Sequence, residues 1–390
     1  IRARRCAMTA RRLWALLTLG QAALGARVLL RLLATAGGRR VAPNPRPTTA
    51  PGSVAVVVPV LNEVARLGPC LDGLIAQGPA VAEIVVVDGG STDGTQALVA
   101  TYAARDSRVR LVDAGPIPPG WNGKAWGLEV GAKEADPAAP WLLTIDADVR
   151  PAPGLVAALL GHAASEEVTA LSVATRQELS GPTEGLIHPS LLATLVYRFG
   201  IPGHATDRVD RVQANGQCFL MRRDLLACAG GFAIVRDSRC EDVTLARALA
   251  ASGTAVGFYE AGDVARVQMY ASAAEAWRNW PRSLPLRDRF SGWGATLLGL
   301  AEVTLVQALP LPLLTLRLLT RQRGPATAVN AALAAARIGV LVGMARAYRC
   351  PPWTYWFSPV SDLPVALRLW VSALQRRHVW RGRPLVDGGG

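Results

Sequence analysis

VVVDGGSTDGT, residues 85–95, decides the fold. A run of valines ends on Asp88, turns through Gly89 and Gly90, and enters a helical stretch near Ser91 to Gly94. A strand buried on both faces reads as such a continuous β-branched run, because helices cover both sides of a parallel sheet. Its turn glycines permit close backbone approach. Working outward, VAVVVPV (54–60) and a helical stretch from Glu63 to Gln77 come before it. Gly94 to Ala104, the short run VRLVD, a helix ending at Glu134 and then WLLTIDAD (141–148) come after. The alternation predicts an open α/β sheet. Ligands of such sheets bind beyond the carboxyl ends of the strands, where the loops here carry Asn62, Asp88, Asp93, Asp146 and Asp148.

The sheet begins just after a linker from Ala42 to Gly52, whose Pro43, Pro45, Pro47 and Pro51 exclude a helix or a central strand. Before it, Leu13 to Leu33 is apolar and long enough for a membrane helix. Arg27 and Arg31 fall in its second half, where snorkelling would carry them to the headgroups. No small-residue cleavage site follows, so an anchor is expected rather than a removed signal, with Met8 a candidate start. Beyond about Arg282 the chain is apolar again. Gly294 to Leu319 and Ala326 to Met344 are long enough to span. Pro310 and Pro312 should kink the first, and Glu302 inside it needs a partner or a polar cavity. Trp353 to Leu374, with Pro359, Asp362, Pro364 and Arg368, reads as an interfacial helix. The organisation expected is an anchor and linker over 1–52, a catalytic domain over 53–289, and membrane-associated helices with a basic tail over 290–390. The cell membrane is the expected location, with the catalytic domain on the cytoplasmic face.

Composition agrees with membrane contact: 51% of residues are hydrophobic and the mean hydropathy is +0.24. The net charge of +13 comes from 42 basic residues, all but Lys124 and Lys133 being arginine. They are scattered and crowd the apolar ends, which suits anionic lipid headgroups and argues against nucleic acid as a partner. The six cysteines show no CxxC pair and no zinc spacing. Buried free thiols, as in a reducing compartment, are expected.

IDAD, residues 145–148, sets two aspartates in a DxD spacing at a strand end. Two like charges so placed are costly without a cation, and oxygen ligands of this kind suit Mg²⁺ or Mn²⁺ bridging a diphosphate. A solvated turn is the plainer alternative. Asp88 is placed to accept hydrogen bonds from a base or ribose hydroxyls. Asp93 could share that work or simply cap the helix. In PGWNGKAWG, residues 119–127, Lys124 offers a point charge for a diphosphate. Lys133 reads as solvated, and His162, His188, His204 and His378 form no spaced cluster.

VVVPVLNE (56–63), VVVDGGSTDGT and DAD together resemble the nucleotide-sugar domain of family-2 inverting glycosyltransferases of GT-A fold, over roughly Ser53 to Arg289. The resemblance implies that Asp88, with Asp93 nearby, contacts the base, and that Asp146 and Asp148 hold the metal and diphosphate. Pro59, Asn62 and Glu63 match the family's first nucleotide loop. CEDVTLARAL, residues 240–249, matches its acidic pair, so Asp242 is implied as general base with Glu241 beside it. Two acids placed favourably at a helix N-terminus would look the same. QANGQCFLMRRDLL (213–226) resembles the acceptor-side strand and helix, which implicates Asn215, Gly216 and Gln217 in the acceptor pocket.

Processive members of the family carry QxxRW. Here AWRNW (276–280) keeps Trp280 but places Ala276 and Asn279 where the Gln and Arg stand, which argues against chain extension. MYASAAEAWRNWPRS and the closing HVWRGRPL resemble bacterial carotenoid- and hopanoid-associated glycosyltransferases. That likeness implies one sugar passed from a nucleotide diphosphate donor to a carotenoid or related terpenoid alcohol. Polyprenyl phosphate or diacylglycerol as acceptor, a nucleotidyltransferase, and a catalytically inactive scaffold are the competing readings.

Overall fold

The computed structural model describes residues 2–43, 50–284, 287–375, 379–380 and 383–384. Pro45 and Pro47 of the linker, His378, Arg381, Gly382 and Leu385 of HVWRGRPL, and the side chain of Cys6 lie outside what is described. In chain order the elements are α1 (Arg2–Thr35), β1 (Val54–Val60), α2 (Val64–Ile75), β2 (Val81–Asp88), α3 (Thr95–Ala103), β3 (Val109–Asp113), α4 (Gly123–Glu134) and β4 (Trp141–Ile145). Next come β5 (Val149–Pro151), α5 (Leu155–Ser165), β6 (Ala170–Ala174), β7 (Arg176–Gln177), α6 (Pro182–Phe199), β8 (His204–Thr206), β9 (Cys218–Arg222) and α7 (Arg223–Ala229). The chain continues through α8 (Glu241–Ala251), β10 (Val256–Glu260), β11 (Ala265–Val267), α9 (Ala273–Asn279), α10 (Trp293–Glu302), α11 (Pro310–Leu319), α12 (Pro325–Met344) and α13 (Asp362–Leu374).

The main sheet runs β3-β2-β1-β4-β9-β6-β10-β8. Its first four strands are parallel, as their unbroken Val/Ile/Leu runs require, and β9 enters antiparallel between β4 and β6. Alternation along β1 sends Val54, Val56 and Val58 into one core with α2, α3 and α5. Ala55 and Val57 face a second core with α4, α7 and α8. A side-chain period of two thus gives the sheet two buried faces. Helix α4 lies very close to β1: a methyl group on Gly131 would overlap Val57 and Val87.

Among the described residues, three helical stretches are long and apolar enough to cross a membrane: Arg12–Thr35, Trp293–Leu319 and Pro325–Ala347. The second joins α10 to α11 through a π-helical turn at Val303–Ala308, just before Pro310. Proline lacks the N–H that a continuing α-helix needs, and the wider turn absorbs the mismatch. Trp353 to Leu374 forms a 3₁₀ segment and α13, which bury Val365 and Leu369 and expose Trp353, Phe357 and Leu367.

Two sequence expectations change. Arg27 and Arg31 do not snorkel: both turn to Glu302, at 2.8 and 2.9 Å, and Arg31 is buried with it. Arg31 also donates to the Tyr197 carbonyl on α6. A charge inside an apolar bundle is retained where it is paired, so Glu302 has the partner its position demanded. The free cysteines are not all buried either: Cys70, Cys218 and Cys240 are, whereas Cys228 and Cys350 are exposed. The last two lie at the end of a surface helix and in a loop, where no core packs over them.

Candidate active site

β4 stops at Ile145, so Asp146 and Asp148 occupy the turn into β5 rather than the strand itself. Both still face one cavity of about 1330 Å³, which Glu241 and Asp242 enter from the first turn of α8. Lys124, in the first turn of α4, joins the two sides. Its Nζ lies 2.8 Å from Asp146 Oδ1 and 2.9 Å from Glu241 Oε1. The loop before α4 makes this possible: Asn122 donates through Nδ2 to the Ser238 carbonyl at 2.9 Å, tying Lys124 to the segment that leads into α8. Burial would lower the Lys124 pKa, but Asp146, Glu241 and Asp242 more than offset it and hold the ammonium well above its usual range.

Asp242 is fixed at both oxygens. Oδ2 accepts from the Gly216 N–H at 2.6 Å and Oδ1 from the Val243 N–H at 2.8 Å. Burial pushes its carboxyl up to about 6, Glu241 pushing the same way and Lys124 opposing. Gly216 keeps this meeting point close: a Cβ there would stand 3.0 Å from Lys124 Nζ and 3.2 Å from Glu241 Oε1, so both side chains would have to give way. Its neighbours are braced: Asn215 donates through Nδ2 to Gln217 Oε1 at 2.9 Å, and its N–H donates to Ser172 Oγ at 2.7 Å. All three residues line the cavity, with Pro59, Glu63 and Trp280.

Asp148 carries the clearest sign of a missing partner. Its Oδ1 is buried without a hydrogen-bond donor among the described residues. Burial raises its pKa, and the neighbouring Asp146 and Glu63 charges raise it further. Among the described residues no group of three His, Cys, Asp or Glu side chains could hold a metal alone. Two carboxylates fit a hard cation that takes its other oxygens from water and a diphosphate, the way Mg²⁺ is ordinarily held.

Asp88, Asp93 and Asn62 are engaged elsewhere. Asp88 accepts from the Ser91 N–H of its own loop at 3.0 Å and from Gln96 Nε2 of α3 at 2.6 Å. Asp93 accepts from Thr95 N–H at 3.0 Å and Val64 N–H at 3.1 Å, joining the starts of α3 and α2. Asn62, with a positive φ of 55°, accepts from the Thr92 N–H at 2.9 Å. These three shape the rim of the cleft and do not line it.

Sequence reasoning missed the far wall of the cavity. It is formed by Leu32 and Leu33 of α1, Leu195 and Val196 of α6, and Val340 and Met344 of α12. No local motif marks these residues, and only packing of the apolar helices against the sheet brings them to the carboxylates.

The mixed sheet, the strand-end carboxylates and the acidic helix start define a GT-A nucleotide-sugar domain. Residues 55–230 match the family described as Glycosyl transferase family 2. Over 124 residues it is 40% identical to the lipopolysaccharide core biosynthesis glycosyltransferase LpsC of Rhizobium meliloti (strain 1021). That match covers 31% of this chain and 41% of the relative, so the chain spans less than half of the relative's length. Among solved structures, the mannosyltransferase PcManGT from Pyrobaculum calidifontis, in complex with GDP-Man and Mn²⁺, is similar over 92% of this chain and 99% of its own. Its TM-score is 0.53 at 22% identity, a likeness of fold.

Proposed function

We propose that the protein is a membrane-embedded inverting glycosyltransferase that moves a single sugar from a nucleotide diphosphate donor to the hydroxyl of a membrane lipid. A carotenoid or related terpenoid alcohol is the acceptor that the sequence resemblance implies. The observation that carries the reading is the single cavity shared by Asp146, Asp148 and Asp242 with the apolar faces of α1, α6 and α12. A soluble acceptor has no use for a wall made of membrane helices.

Asp146 and Asp148 would hold Mg²⁺ or Mn²⁺, whose charge favours departure of the diphosphate. Asp242 takes the proton of the acceptor hydroxyl as that oxygen bonds to the anomeric carbon from the face opposite the diphosphate. The bond from that carbon to the phosphate oxygen breaks with its electron pair on the nucleotide. The N–H donors of Gly216 and Val243 keep the Asp242 carboxylate aimed, and burial gives it a pKa near the working pH. Lys124 places a fixed positive charge between Asp146 and the acidic pair, where a diphosphate would sit. Pro59 and Glu63 line the donor side, with Asp88, Asp93 and Asn62 supporting their loop. Asn215, Gly216, Gln217 and Trp280 line the acceptor side. A catalytic domain facing the cytoplasm gives access to nucleotide sugars. A lipid-linked saccharide as acceptor is a second reading, favoured by the partial likeness to LpsC.

The test is a screen of nucleotide sugars with purified protein, membrane lipid extract, and Mn²⁺ present or absent. Nucleoside diphosphate release with a new glycolipid, both dependent on the metal, is the expected result. Labelled polymer, or pyrophosphate as the released product, would overturn the reading.

A further inference from the structure

We propose that the groove between α1, α6 and α12 seats the hydrocarbon tail of the acceptor lipid, and that Gly339 and Gly343 set its width. This rests on the lipid-acceptor reading above and extends it to particular residues.

Helices α1 and α12 are latched at one level. Gln21 Nε2 donates to Asn330 Oδ1 at 3.0 Å, and Gly25 faces Leu333, whose Cδ2 would stand 2.7 Å from a Cβ there. Gly25 is thus explained by close helix packing. One to three turns nearer the catalytic domain the facing residues of the same helices line the cavity instead, backed by Leu195 and Val196 of α6. From Ala336 to Ala347 the groove follows about 16 Å of helix, roughly half of a ~30 Å hydrocarbon layer.

Gly339 and Gly343 lie one turn apart on the face of α12 that borders this space. Both are exposed, and a Cβ on either would meet nothing within 4 Å. Glycine inside a helix is less favourable than alanine, and among the described residues no close contact requires it at either position. Open space reserved at two such positions, continuous with the base Asp242, fits a chain of methylenes or isoprene units threading from the bilayer to the carboxylates. Lipid and groove are equally apolar, so the groove selects by shape and places the hydroxyl rather than extracting the tail by hydrophobic force. The same pair of glycines could instead pack against a second copy of the chain, which the test distinguishes.

The full chain, reconstituted in phosphatidylcholine vesicles, is photolabelled with a diazirine-bearing geranylgeraniol and assayed with geranylgeraniol and with prenol, its short counterpart. Wild type should label within 29–36 and 336–347. The Gly339→Leu/Gly343→Leu variant should lose that labelling and lose transfer to geranylgeraniol by about tenfold or more, as closing a shape-selective pocket does. Its donor hydrolysis, transfer to prenol and oligomeric mass should not change. Gly339→Ala/Gly343→Ala, which should fold at least as well as wild type, is expected to fall between the two. Labelling elsewhere, equal loss with both alcohols, or full transfer by the Leu variant would overturn the proposal. So would a diazirine phospholipid labelling 336–347 without displacement by geranylgeraniol, or a Leu variant that dissociates a dimer. Labelling as expected with no transfer to either alcohol would instead refute the lipid-acceptor reading and leave the groove standing.

Discussion

Asp242 and Asp88 show how differently two aspartates at the mouth of one sheet can be used. Asp242 receives two backbone N–H bonds and points into the cavity, while Asp88 spends its oxygens on Ser91 of its own turn and Gln96 of α3. Asp242→Asn should therefore cut kcat by roughly 10²–10⁴ and leave nucleotide-sugar affinity nearly unchanged, as measured by transfer rates and calorimetric titration. The acid limb of the pH profile follows from the same side chain. Its burial raises the carboxyl to about 6, so it is ionised above that pH and protonated below. Transfer should then fall by about tenfold for each pH unit below that point, and this limb should vanish from the residual activity of Asp242→Asn. A profile flat down to pH 4 would remove Asp242 from the role of base.

At the scale of elements, two contacts fix how helices meet their supports. Gly131 lets α4 approach β1 closely enough to bring Lys124 to Asp146. Gly131→Val forces the helix away from Val57, and about 1–3 kcal/mol of stability should be lost, measured as a lower urea midpoint for the detergent-solubilised protein. The pairing of Arg31 with Glu302 ties α1 to α10 within the apolar bundle. Glu302→Gln leaves the buried guanidinium without its carboxylate and should cost about 3–5 kcal/mol. The double change Arg31→Leu with Glu302→Leu removes both charges and should recover most of the loss in a thermal-unfolding series. If the double variant is as unstable as the single one, the pair is not what holds α1 in place.

For the whole molecule, the decisive feature is that α6, which lies within the stretch 55–230 that matches the glycosyltransferase family, packs into the apolar bundle. Ala193, Val196 and Tyr197 share a core with Val28 of α1, Val306 and Leu333. The matched stretch and the apolar helices consequently share an interior, and the protein should remain in the membrane pellet after alkaline carbonate extraction; release into the supernatant would contradict spanning helices. Local pattern alone specified the parallel half of the sheet, the carboxylates after β4, the acidic helix start and the apolar spans. Each of these is a local pattern: unbroken β-branched runs, a DxD spacing, an ED pair before a helix, and stretches of membrane length. It could not tell that Asp93 bonds to Val64 and Asn62 to Thr92, because a hydrogen bond between residues about thirty positions apart leaves no trace in spacing. Nor could it show that Arg27 and Arg31 turn inward to Glu302, or that three separated helices wall the cleft. Those outcomes depend on contacts between distant segments, because packing alone settles which buried charge finds a partner and which apolar face is left open to the cleft.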